Sequence, residues 1–506
     1  MVGKLKRIHI PELHDRVTSA EEAASWIEDG MTLGLSGFTR AGDAKAVPTA
    51  LVERVKNGEQ LKVNVFTGAS LGADIDKILA ESGIVNKRLP FQADPVMRKA
   101  INTGEHLFVD QHLSHTSELL RSGVMKVDYA IIEGVLITED GMLIPSTSVG
   151  NNLAFIEAAE NVIIEINMAQ PESLKGVHDL FSPKKQGERD PIPLTQVDDR
   201  IGTIGIPLDL DKVKGIVFTD QADSPSTILP PDEETQQIAN HLLDFLREEI
   251  KAGRLTETLA PLQVGIGTVA NAVLHGMIES EFENLVVYSE VLQDAVFDLI
   301  DAGKVDFASA CSMTLSEEKM KEVFGNFDKY RDKLVIRPQE ISNQPEIVRR
   351  LGTISINTAL ELDIYGNVNS THVTGTKMMN GIGGSGDFAR NARLAIFVTK
   401  SVAKGGDISS IVPFVSHVDH TEHDVDVVVT EQGFVDLRGL APRERVPLII
   451  ENCAHPDYRA QLWEYYQEAL ERGGQTPHVL EKAFSWHLNF MENGTMKKRV
   501  KQGAEE

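Results

Sequence analysis

Short apolar runs recur along this chain, each bounded by glycine, proline or polar residues. Met31–Leu35, Leu61–Phe66, Tyr129–Ile132 and Val162–Ile166 read as strands in the first half. Leu285–Val287, Ile354–Ile356, Ile411–Val415 and Val425–Val429 do the same in the second. Helical patterns lie between them. Thr49–Val55 follows Pro48, and Thr235–Ala252 carries Ile238, Leu242, Leu243, Phe245 and Leu246 at helical spacing. Strands alternating with helices predict an α/β fold of open, mainly parallel sheets flanked by helices.

A polar, proline-rich stretch interrupts the pattern: Thr219-Asp220-Gln221-Ala222-Asp223-Ser224-Pro225-Ser226, running on to Pro230-Pro231-Asp232-Glu233. It reads as a linker and divides the chain into domains at 1–228 and 229–506. Ser182–Pro191 reads as a surface loop. The two parts resemble each other in order. Leu33-Gly34-Leu35-Ser36-Gly37 parallels Val264-Gly265-Ile266-Gly267, and Val65–Ser70 parallels Val287–Glu290. Ala130–Glu133 parallels Ile356–Ala359. A constant offset of roughly 220–230 residues predicts an ancient duplication. It is asymmetric, because Ala69 or Ser70 stands where the second part has Glu290.

Composition narrows the class. A length of 506 residues exceeds one ordinary core, and 42% hydrophobic with 25% charged residues describes a globular protein. No apolar run reaches the length of a membrane span, and the first residues lack the apolar core of a secretion signal. Two cysteines, Cys311 and Cys453, build no disulfide framework and fit a reducing cytoplasm. Fifty basic against 75 acidic residues give a net charge of −25, which argues against nucleic-acid binding. An anionic ligand therefore needs a local basic site working against the global field.

The chemistry concentrates around Glu290, which ends the apolar run Leu285–Val287 between two glycine loops, Gly265-Ile266-Gly267 and Gly381-Ile382-Gly383-Gly384-Ser385-Gly386. A carboxylate at the rim of an α/β sheet is well placed for catalysis. Glycine loops bring backbone amides close to an oxyanion or phosphate. An isolated glutamate at a strand end usually meets water, so the loops are what carry the inference. The second loop fits Gly-x-Gly-x-x-Gly formally, but no buried strand leads directly into it, so a nucleotide fingerprint is disfavoured. His417-Val418-Asp419-His420-Thr421-Glu422-His423 contains metal-ligand types. In an extended chain His417 and Asp419 share a face that His420 does not, so a hydrogen-bonded cluster is expected there and no metal site. His112, Ser114 and His115 lack the context of a catalytic triad, and Cys311 sits among small residues as an inert core thiol.

Taken together, several segments identify a resemblance. They are Ser36-Gly37-Phe38-Thr39, Thr67-Gly68-Ala69-Ser70, Ser148-Val149-Gly150-Asn151, Tyr288-Ser289-Glu290-Val291, Ile341-Ser342-Asn343, Tyr365–Thr371, Met379–Phe388 and Glu431-Gln432-Gly433. With these the chain resembles the acetyl-CoA hydrolase/transferase family of class I CoA-transferases over nearly its whole length. The resemblance implies two tandem related domains and transfer of CoA between a short-chain acyl-CoA and a carboxylate, succinyl-CoA and acetate being the expected pair. It implies ping-pong catalysis through a γ-glutamyl-CoA thioester on Glu290, assisted by Asn343, with Gly384 and Ile266 supplying amides. Val264, Gly265, Ile266, Gly267, Thr268, Asn380, Gly384 and Lys404 would contact CoA, a substrate and not a permanently bound cofactor. The expected state is a cytoplasmic homodimer acting on small molecules, with no nucleic-acid or membrane partner. Two departures bear on this. Ile266 stands where relatives often have valine, and Ala222–Ser224 lacks arginines that some relatives carry. A hydrolase on the same site and a non-catalytic acyl-CoA sensor are the other readings.

Overall fold

The computed structural model describes residues 2–72, 74–227 and 229–498. The expected domain division after residue 228 falls on Ile228, outside the described residues. Seven parallel strands build the first sheet: β1 (Thr32–Leu35), β2 (Val63–Phe66), β3 (Val85–Leu89), β4 (Leu107–Phe108), β5 (Val127–Ile137), β6 (Ala159–Asn167) and β7 (Val213–Thr219). They lie in the order 4-3-2-1-5-6-7. Two short antiparallel strands, Met142–Pro145 and Ile206–Pro207, extend the far end of β5.

The second sheet repeats the plan. Its parallel strands are β8 (Leu262–Val264), β9 (Leu285–Tyr288), β10 (Val305–Ala310), β11 (Leu334–Ile336), β12 (Ile354–Thr358), β13 (Leu394–Val398) and β14 (Val427–Thr430). Their order is 11-10-9-8-12-13-14, with Gly433–Asp436 as an antiparallel edge. Strand for strand, this is the first order with seven added. The three sequence matches fall on equivalent places: the ends of β1 and β8, the ends of β2 and β9, and β5 against β12.

Why these residues form strands is plain from burial. Ala130, Ile131 and Ile132 of β5 are all buried, as are Ile354 and Ile356 of β12, so both sheet faces are covered. Helix α1 (Ala46–Lys56) follows β1, and it tolerates Pro48 because its first turn needs no intrahelical N–H. Helix α2 (Glu233–Lys251) opens on Asp232, whose side chain accepts the Thr235 amide, and Glu233 and Glu234 suit the positive helix start. Its apolar stripe, Ile238, Leu242, Leu243, Phe245 and Leu246, is buried. Each such side chain contributes roughly 1.5–3 kcal/mol. Helix α3 (Thr268–Ile278) begins where β8 ends. One apolar cluster includes residues of both sheets, from Ile132 to Val429.

Two expectations need adjusting. The strand over Ile411–Val415 is only Ile411–Val412, because Pro413 has no N–H to continue a ladder. The polar linker is not simply solvated: Asp223 is buried and pairs with Lys45 at 3.1 Å. Among the described residues, no helix is long and apolar enough to cross a membrane.

Candidate active site

Glu290 sits where the chain leaves β9 at its carboxyl end. Three donors fix its backbone: the amides of Cys311 and Ser312 at 2.9 and 3.1 Å, and the Cys311 thiol at 3.1 Å, all to the Glu290 carbonyl. Cys311 is buried and its thiol is pushed well up by burial, which suits this structural role. Ser289 donates to the Val264 carbonyl at 3.1 Å, tying the end of β9 to the end of β8. The backbone is thus held while the carboxylate projects toward the two glycine loops.

The first loop is clamped by one amide side chain. Gln293 Oε1 accepts the Gly267 N–H at 3.4 Å, and its Nε2 donates to the Gly265 carbonyl at 3.1 Å. Ile266 between them is half exposed, and no described residue accepts its amide hydrogen. The second loop touches the carboxylate itself. A Cβ on Gly384 would fall 1.3 Å from Glu290 Oε1 and 2.3 Å from Asn343 Oδ1, so only glycine fits. The Gly384 amide likewise has no acceptor among the described residues. It opens helix α4 (Ser385–Ala389). Asn343 follows the short helical turn Gln339–Ser342, which Tyr288 anchors by donating to the Ile341 carbonyl at 2.5 Å.

The electrostatics follow from this packing. Glu290 Oε1 is buried without a hydrogen-bond partner, and so is Asn343 Oδ1. Burial, with Asp387 nearby, pushes the Glu290 carboxyl up to about 8. No described cation pairs with it. Asp387 itself is pushed up to about 7 by burial, although the Ser114 hydroxyl and amide donate to it at 2.6 and 3.0 Å. An ionised Glu290 here is a poorly solvated carboxylate beside loops whose Ile266 and Gly384 amides have no described acceptor, and that combination suits nucleophilic attack with oxyanion stabilisation.

The first half supplies the opposite wall. A cavity of about 150 Å3 lies over Glu290, walled by Phe38, Ala69, Phe91 and Leu113, which follow β1, β2, β3 and β4. The site therefore lies between the carboxyl ends of strands from both sheets, where α/β folds bind ligands. Of the residues expected from sequence, Glu290, Gly265, Ile266, Asn380 and Gly384 line this cavity. Gly267 and Thr268 line a second cavity beside it. Val264 lies buried just behind the loop, and Asn343 reaches the site through Gly384. Lys404 stands apart: it is exposed, with its ammonium 5.3 Å from the ring of Phe490, and lines neither cavity.

Asp110 escaped sequence reasoning, while the 417–423 run takes part in hydrogen bonding as expected. Asp110 Oδ1 accepts the Ile382 amide at 2.8 Å, holding the second loop from the first half. His420 meets Ser385 Oγ at 3.1 Å and so belongs to the loop's support, while His417 meets Asp419 at 3.3 Å. Among the described residues no group of three or more His, Cys, Asp or Glu is arranged to hold a metal ion. Ser114 binds Asp387 and does not face a triad. These partners are separated by up to 273 residues, and no local motif announces them.

Comparisons with known proteins bear on the family and the fold. The acetyl-CoA hydrolase/transferase N-terminal domain matches residues 4–217, and the C-terminal domain of the same name matches residues 320–466. A succinyl-CoA:acetate CoA-transferase of Clostridium kluyveri is 52% identical over 97% of this chain and 92% of its own length. An acetyl-CoA hydrolase of Candida albicans is 44% identical over 97% of each chain. Among solved structures, RipA from Yersinia pestis superposes with a TM-score of 0.71 at 22% identity, covering 90% of this chain and 98% of that one. A 4-hydroxybutyrate CoA-transferase from Porphyromonas gingivalis gives 0.62 at 22% identity, with the same coverage. At that identity the structural likeness speaks for the fold.

Proposed function

The chain belongs to the acetyl-CoA hydrolase/transferase family, and from that premise we propose that it is a CoA-transferase exchanging CoA between succinyl-CoA and acetate through a thioester on Glu290. The observation that carries this reading is the buried, unpartnered Glu290 carboxylate oxygen packed against Gly384, with the amides of Gly384 and Ile266 unused. The 52% identical succinyl-CoA:acetate CoA-transferase supports the choice of substrates.

The steps follow from the groups present. Ionised Glu290 attacks the thioester carbonyl, and the tetrahedral oxyanion takes hydrogen bonds from backbone amides. One preorganised donor of this kind is worth about 3 kcal/mol. The C–S bond breaks, leaving a mixed anhydride and CoA thiolate. The thiolate attacks the glutamyl carbonyl, the anhydride C–O bond breaks, and the first carboxylate departs. The incoming carboxylate reverses the sequence. Phe38, Ala69, Phe91 and Leu113 wall the site with apolar surface, which limits hydrolysis of the anhydride.

Acetyl-CoA hydrolysis on the same site is the second reading, supported by the name of the 44% identical Candida protein. The two differ in what attacks the acylated glutamate. The deciding experiment incubates enzyme with succinyl-CoA and no acceptor, treats it with borohydride, and maps peptides by mass. A transferase accumulates a glutamyl thioester, which is reduced to an alcohol within Tyr288-Ser289-Glu290-Val291, and adding acetate restores steady turnover. Rapid loss of CoA ester in the absence of acceptor, with no reduced peptide, overturns the transferase reading.

A further inference from the structure

The loop that carries Gly384 belongs to the second half, but the first half grips it. Between β4 and the helix His115–Arg121 the chain runs through Asp110 to Ser114. Asp110 takes the Ile382 amide at 2.8 Å, just before Gly384. Just after Gly384, the Asp387 carboxylate accepts the Ser114 hydroxyl and amide at 2.6 and 3.0 Å. Leu113 O accepts Gln339 Nε2 at 3.0 Å, and Gln339 O in turn accepts the Asn343 amide at 2.8 Å. One short segment of the first half therefore braces both Gly384 and Asn343, which meet beside the Glu290 carboxyl.

Both members of the Ser114–Asp387 contact forgo a local role. Ser114 precedes the helix His115–Arg121 where a serine ordinarily caps, yet its side chain makes no bond to that helix. An acidic residue three places beyond a helix cap ordinarily reaches back to the N–H of the cap. Gly384 holds the cap position before α4, and Asp387 stands three places on. The Gly384 N–H nevertheless has no acceptor among the described residues, because both Asp387 oxygens are turned to Ser114. No described cation pairs with Asp387, and Asn391 Nδ2 binds only its backbone carbonyl, at 2.9 Å. Ser114 and Asp387 are both buried, so the contact lies out of water, where a charged acceptor makes it strong.

We propose that Ser114 is a positioning residue of the acyl-transfer site: by holding Asp387 across the junction of the two halves, it keeps that carboxylate off the Gly384 N–H and leaves the amide free for the oxyanion. The inference rests on the CoA-ester reading of the Glu290 site. Without the hydroxyl, Asp387 Oδ1 loses its donor and turns back to the start of its own helix. The Gly384 amide is then occupied before the reacting carbonyl arrives. The loss falls on the chemical step, because an oxyanion donor is needed most as the tetrahedral intermediate forms.

The test is a double-mutant cycle on kcat and KM with succinyl-CoA and acetate. Ser114→Ala should lower kcat by about 10-fold or more, with KM for succinyl-CoA within about twofold of wild type. Its melting temperature should stay within about 5 °C. Adding Asp387→Ala should raise kcat at least about fivefold above Ser114→Ala alone, because no carboxylate remains to occupy the amide. Ser114→Thr keeps the hydroxyl and should retain more activity than Ser114→Ala. A merely structural contact predicts the opposite order, since a second deletion in one cluster adds damage. A double variant no more active than Ser114→Ala overturns the inference, as does a Ser114→Ala kcat within about twofold of wild type. If Ser114→Ala does not fold, Ser114→Cys, similar in size but a weak donor, takes its place in the cycle. If wild type forms the reducible glutamyl thioester and the cycle shows no recovery, the inference fails alone. If wild type never forms it, the proposed function fails first.

Discussion

After β2 the chain places Ala69 and Ser70; after β9, on the equivalent strand of the other sheet, it places Ser289 and Glu290. The surroundings differ as much as the residues. In the first half, ten residues separate β1 from α1, and Lys45 at their end runs its ammonium to Glu133 at 2.6 Å and Asp223 at 3.1 Å. Burial pushes Asp43 up to about 8 and Glu133 up to about 7 against the pull of Lys45. Lys45 answers both Glu133 and Asp223, and the Gly72 amide donates to Asp43 Oδ2 at 2.8 Å, while Asp43 Oδ1 stays without a partner. In the second half, three residues separate β8 from α3, and Glu290 faces a cavity with no cation beside it. The same topology thus supports a closed charge network on one side and an open carboxylate on the other. A duplicated fold needs only one reactive crevice, provided that the idle one is filled by its own side chains.

The sharpest break of this comparison is Glu290→Ala. Turnover should fall at least about 1,000-fold, as when a covalent nucleophile is removed elsewhere. Stability should not fall, because an uncompensated buried carboxyl contributes little to folding. Steady-state kinetics together with urea denaturation measure both. More than a few per cent residual turnover would dismiss Glu290 as nucleophile.

The mirror experiment is Lys45→Met. It leaves Glu133 and Asp223 buried without their cation, and breaking such a network typically costs about 3–5 kcal/mol. Turnover per folded molecule should stay within about threefold, since Lys45 lines neither cavity. Loss of turnover with stability intact would mean that the first crevice is not idle.

How far the sequence carries this comparison depends on distance along the chain. Leu285–Val287, Glu290, Ile266 and Gly384 are legible because short apolar runs, a charged strand end and glycine clusters are local signals. Strands β4 and β11, with two and three residues, are too short to stand out from loops. Asp223 reads as linker polarity, since composition does not separate an aspartate in water from one bound to a buried lysine. Asp110 at Ile382 and His420 at Ser385 join segments that meet only after folding. Lys404 is a lysine near a glycine pair, and only the fold shows it turned toward Phe490 and away from both cavities.

The smallest effect tests the electrostatic half of the argument. Burial raises the Glu290 carboxyl from 4.5 to about 8, so the folded protein keeps a proton there that the unfolded chain loses. Wild-type stability from this group is therefore fully present below about pH 4.5 and is lost as pH rises to about 8. Glu290→Gln keeps the shape and never ionises, so its stability relative to wild type should grow with pH across that window and level off beyond it. Within that window the gain should be about 1 kcal/mol per pH unit. Asp387 also titrates near 7, but it is present in both proteins and largely cancels in the difference. Denaturation curves for the pair at pH 5, 7 and 9 provide the measurement. A difference that is flat with pH would mean that Glu290 is solvated like an ordinary carboxylate. The contrast with the neutralised first half would then rest on geometry alone.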